Sequence, residues 1–110
     1  MGQNTIDKIV EKIRVYNSLN EENRAELLKL LEALKTEINE FSEKQEEHAE
    51  SLKGFISASA HEATRQQKNP TLLKLAVEGL SASVEGFEVS HPKLVENVNN
   101  IASMLSNMGI

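Results

Sequence analysis

The chain has 110 residues, 39% of them hydrophobic and 26% charged, with a net charge of -5 and no cysteine. That is enough for one core in an ordinary globular chain. The lack of cysteine excludes disulfides, thiolate metal sites and cysteine nucleophiles. The acidic balance argues against nucleic acid or an anionic membrane as partner, because both need a basic face to displace counterions.

Aromatic residues are only 4% and the apolar content is mostly Leu, Ile, Val and Ala, which suits helix packing and makes all-α the expected class. No stretch reaches the ~18 apolar residues of a membrane span. Polar and acidic residues interrupt Met1 to Val15 where a signal peptide has its apolar core, so export is not expected, and with no cysteine a reducing cytosol is the simplest compartment.

The first predicted helix carries Ile6, Ile9, Val10, Ile13 and Tyr16 on one face, with Asn4 or Thr5 as its cap. It is too short to stand alone in water and must lie on another element. Asn17-Ser18-Leu19-Asn20 is turn chemistry, and Ser18 with Glu21 or Asn20 with Asn23 offers a capping box for the next helix. The two helices are then antiparallel neighbours meeting near Leu27, Leu28 and Leu31.

Residues 20 to 68 read as one long central helix. Leu27, Leu31, Leu34, Ile38 and Phe41 fall alternately four and three apart, and the same phase resumes at Leu52 and Phe55, a coiled-coil-like heptad seam. Continuous, it would run on the order of 70 Å. Its middle is weak: Glu37 to Glu50 holds six Glu against one Lys, and Gln45 and His48 occupy positions that should be apolar. Glu43 with Glu47 and Glu46 with Glu50 are like-charged neighbours. A continuous helix with a polar layer and a break near Ser42 to Ser51 are both open; the absence of Gly and Pro between Asn20 and Ser51 favours continuity.

Past Ser51 the helix is rich in small residues, including Gly54, Ser57, Ala58, Ser59, Ala60 and Ala63, which let neighbouring axes approach. Asn69-Pro70 ends it and caps the third helix, Pro70 to about Val89. Leu73, Val77, Leu80, Val84 and Phe87 form that helix's seam. Beside it runs a stripe of small residues, Ala76, Gly79, Ser83, Gly86 and Ser90, a candidate helix-docking groove that either the chain's own helices or a partner's helix would fill. Ser90-His91-Pro92 makes the next corner. The last helix carries Leu94, Val98, Ile101, Leu105 and Met108, with Gly109 as left-handed C′ residue and Ile110 returning onto Leu105.

The expected architecture is one helical domain over 1–110: a helical hairpin over 1–47 and a three-helix bundle over 48–110. About 20 Å of the long helix around Leu34, Ile38 and Phe41 then lacks a cover from its own chain. A second copy would supply it, making Leu34, Ile38, Phe41, Gln45 and His48 the candidate seam of a two-fold homodimer.

The three histidines are the remaining chemical candidates. The Glu-x-x-His spacing of carboxylate-bridged metal sites fails, because Gln45 stands three residues before His48 and Ala58 three before His61. His61-Glu62 does not open a zinc-protease motif either, since Arg65 stands where the second His should be. Arg65, Lys68 and Lys74 form a small basic cluster that reads as a solvated helix end.

The run His61-Glu62-Ala63-Thr64-Arg65 through Asn69-Pro70, the segment Gly79 to Glu88, the corner Ser90-His91-Pro92 and the ending Leu105-Ser106-Asn107-Met108-Gly109-Ile110 resemble a family of small bacterial proteins classed as a domain of unknown function. The resemblance covers roughly the last sixty residues well. It implies a bacterial, soluble helical protein and transfers no site. Two functions stay open: a homodimeric structural or protein-interaction module that docks a partner's helix, and a small-ligand or metal-responsive regulator using His48, His61 or His91. No catalytic, cofactor or metal residues are assigned, and an enzyme is not expected.

Overall fold

The structure, a computed structural model, describes residues 5–41 and 43–108. It consists of α1 (Thr5–Val15), α2 (Glu21–Asn39), α3 (Glu46–Thr64), α4 (Pro70–Ser83) and α5 (Pro92–Met108), with single 3₁₀ turns at Glu43–Gln45 and Glu85–Phe87. The fold is all-α. Two predicted caps are formed: Asn20 Oδ1 accepts the Asn23 N–H at 2.8 Å, and Asn69 Oδ1 accepts the Leu72 N–H at 3.1 Å with Pro70 opening α4. The predicted roles of Asn4, Gly109 and Ile110 lie outside the described residues.

The long central helix is corrected by the structure, which divides it into α2 and α3. At the end of α2 the N–H groups of Glu40 and Phe41 turn back onto the carbonyls of Glu37 and Ile38, at 3.2 and 3.1 Å. These three-residue bonds tighten the last turn and release the chain. The physical reason is the stretch itself. Beyond Phe41 a straight helix has only acidic and polar side chains for two turns, with nothing to bury and like charges at four-residue spacing.

The reversal changes what covers the seam. α5 lies along α2, α1 bridges α2 and α3, and α3 packs most extensively on α4. The halves of the expected long helix therefore meet α1 and α5 rather than lying broadly on each other. Leu27, Leu31 and Leu34 are fully buried and Ile38 nearly so, in a core continuous with Leu52, Ile56, Leu80, Leu94, Val98 and Ile101. The molecule measures 38 × 28 × 26 Å, so no 70 Å helix fits inside it.

Polar ties hold the helix ends. Arg24 on α2 reaches over the end of α1, donating to the carbonyls of Ile13 and Arg14, and to Leu19 in the turn at 2.9 Å. It thereby adds donors to the carbonyls at the end of α1, of which that of Ile13 also accepts the Tyr16 N–H at 3.4 Å. Lys68 does the same for α3, donating to the Ala63 carbonyl and, at 2.8 Å, to the Tyr16 hydroxyl, with its ammonium 4.8 Å from the centre of the Tyr16 ring. Lys35 bonds Asp7 at 2.7 Å and Asn97 donates to Glu37 at 2.6 Å, fastening α2 to α1 and to α5. The hydrogen bond to Asp7 holds the Lys35 ammonium above the usual lysine range. A raised value means that the lysine's contribution to this tie persists through neutral pH and is lost as pH climbs through that raised value.

Among the described residues one polar atom is out of place: Ser59 on α3 is fully buried and its hydroxyl has no hydrogen-bond partner there. Burying such a group costs roughly 1–3 kcal/mol. Ser59→Ala is therefore expected to raise stability by about 1 kcal/mol, measured as a shift of the urea midpoint at constant slope. A lowered midpoint would show that the hydroxyl has a partner in solution.

Candidate functional site

At one end of the bundle the reversal after α2 meets the corner between α4 and α5. Phe41 stacks on Phe87 with ring centres 4.8 Å apart and planes inclined by 20°. His91 presents its edge to both rings, at 5.1 and 5.6 Å, and His48 in the first turn of α3 reaches Phe87 at 5.8 Å. Phe87 is almost wholly buried although it sits in a 3₁₀ turn rather than in the helix predicted to extend to Val89.

The candidate dimer seam is thus distributed differently from its expected arrangement. Leu34 and Ile38 lie in the chain's own core, Phe41 is half-buried on Phe87, Gln45 is half-buried in the turn, and His48 is exposed. With Leu34 and Ile38 buried by their own chain, the uncovered stretch that called for a second copy no longer exists.

Nor do the three histidines form one centre. His48 and His91 converge on Phe87, while His61 is exposed in the last turn of α3 beside Glu62. Ser90 Oγ lies 2.9 Å from His91 Nδ1, too exposed to be an activated nucleophile. Among the described residues no three metal-ligating side chains come together.

The small-residue stripe on α4 is interrupted. Ala76, Gly79 and Ser83 are half-buried on the helix, but Gly86 falls in the 3₁₀ turn with open space around it, and Ser90 lies beyond, exposed. At Gly79 the groove is occupied: a Cβ added there would run into the ring of Phe55 from α3. Of the two occupants left open by the sequence, the chain's own α3 fills the groove at Gly79, and the stripe does not continue along the helix past Ser83.

Phe55 does not vanish into that contact. It stays 41% exposed, beside Leu72 at 41% and Leu75 at 58% on α4. Leu72, Leu75, Gly79 and Ala82 recur three, four and three apart, turned away from the core positions Leu73 and Leu80. These residues form an apolar strip on the outer side of α4 that the Leu73-to-Phe87 seam conceals in the sequence. The signal was there: α4 is apolar on two faces, so its Leu content exceeds what one seam needs.

A family model described as Domain of unknown function (DUF4404) matches residues 31–110, from the second half of α2 onward, and includes the segments that carry the sequence resemblance. No curated protein and no solved structure matches the chain. No helix among the described residues is long and apolar enough to cross a membrane.

The contact at Gly79 can be tested by a double-mutant cycle. Gly79→Leu is expected to expel the Phe55 ring and lower stability by roughly 1–3 kcal/mol through overpacking. In a Phe55→Ala background the same change should cost much less, since the space is vacated. Additive costs, read from denaturant midpoints, would mean that Phe55 does not occupy the groove.

Proposed function

The chain belongs to the DUF4404 family, a membership that brings no activity with it, and from its geometry we propose a non-enzymatic, homodimeric protein-interaction module that docks through the outer face of α4. The observation that carries this reading is the cluster of Phe55, Leu72 and Leu75, three large apolar side chains at least two-fifths exposed on adjoining helices. Single exposed hydrophobic residues are normal on any surface, but a strip of them at helical spacing is a feature of interaction sites.

A second copy suits the strip. Two α4 helices laid antiparallel about a two-fold axis level with Val77 set Leu72 opposite the small Ala82 and bring Leu75 toward the Phe55 ring that covers Gly79. Lys74 and Glu78 flank the strip and supply a polar rim of both signs. The interface proposed from the sequence around Leu34 and Ile38 is replaced by this one. Catalysis has less support: His48 and His91 both reach Phe87, but among the described residues no three metal-ligating side chains come together.

Sedimentation equilibrium tests the reading. The wild type is expected to dimerise at tens of micromolar, an order-of-magnitude concentration for interfaces of modest area. Leu75→Glu should yield monomer whose melting temperature equals that of the wild type diluted until it too is monomeric, since the side chain is already mostly in water in the single chain. A monomeric wild type would end the homodimer proposal.

A further inference from the structure

The geometry points to a binding site for a small phosphorylated molecule at the end of the bundle where α1 and α3 terminate, in the cavity lined by Lys12, Tyr16, Ser18, Arg65 and Lys68. The cavity holds about 550 Å³ and no carboxylate lines it. That volume lies in the range of small-ligand sites, roughly 300–1,000 Å³. Three cations face one hollow in a chain whose net charge is -5, so this positive lining runs against the balance of the molecule.

Cations at helix C-termini ordinarily serve the carbonyls there. Here that task is already done by two of them: Arg24 takes the carbonyls of Ile13 and Arg14, and Lys68 takes that of Ala63. Lys12 is surplus, with no hydrogen-bond or ion-pair partner among the described residues. Arg65 spends one N–H on Glu62 at 2.8 Å and keeps the others. The Tyr16 hydroxyl accepts from Lys68, which leaves its own proton to donate. The hollow therefore offers two ammonium groups, a guanidinium and hydroxyl donors. Such a set matches the many acceptor oxygens of a phosphate better than the two of a carboxylate.

The test is an NMR titration of the full chain with inorganic phosphate at constant ionic strength, with acetate and chloride in parallel. Saturable shifts confined to residues around Tyr16, Ser18 and Arg65 are expected with phosphate, and weaker, non-saturating ones with acetate. Lys12→Ala removes an exposed side chain that holds nothing in the fold, and should weaken phosphate binding about tenfold, the loss of one charge-assisted hydrogen bond. Lys29→Ala, on the exposed face of α2, should leave it unchanged. Equal responses to phosphate, acetate and chloride, or a Lys12→Ala variant that binds phosphate as tightly as the wild type, would overturn the site.

Discussion

The stack of Phe41 on Phe87 closes the reversal on which every other packing relation depends. With α2 turned back at Asn39, α5 can lie along it and bury Leu34 and Ile38. A rough comparison shows why the chain bends. Leaving Leu34, Ile38 and Phe41 exposed on a straight helix would forfeit about 1.5–3 kcal/mol each. Interrupting the helix loses about four backbone hydrogen bonds, each worth about 1 kcal/mol net, and part of that returns as three-residue bonds at Glu40 and Phe41. The like-charged Glu pairs add only a few tenths of a kcal/mol apiece in the same direction. Burial decides the outcome, and the acidic stretch sets where the bend falls.

The two ends of the molecule are consequently unlike. At one end, rings from the reversal after α2, from α3 and from the α4–α5 corner meet around Phe87. At the other, the C-termini of α1 and α3 come together, with Arg24 and Lys68 on their last carbonyls. Helix ends of like polarity repel, and the cations make their approach tolerable. This second end is where an excess of positive charge accumulates on an acidic protein. Between the ends, α4 belongs to the core by one face and presents Leu72 and Leu75 to water by the other, so the proposed interaction surface and the cationic cavity are separate features of one fold.

Local chemistry made much of this legible. The all-α class, the caps at Asn20 and Asn69, the proline starts of α4 and α5 and most of the buried residues follow from spacing and capping alone. The weakness of residues 42–51 was visible too. Which way it would resolve was not, because no Gly or Pro marks the bend and the decisive contact, Phe41 on Phe87, joins residues far apart in sequence. The same limit hid the site. Gly79 declared a close approach without naming Phe55 as the side chain that makes it. Lys12 and Lys68 became neighbours of one cavity only when α1 and α3 ended side by side.

The fold-back of α2 and α3 supports both functional proposals, and a distance measurement tests it directly. With no native cysteine, spin labels can be placed through Glu22→Cys and Gln66→Cys, at exposed positions next to Asn23 and Lys68, which line a shared cavity. Pulsed electron resonance on labelled chains diluted with unlabelled protein then reports the intrachain separation. The folded-back structure requires a distance well below the 38 Å length of the molecule. A continuous helix would place the labels roughly 66 Å apart, and a distance of that order would contradict the fold described.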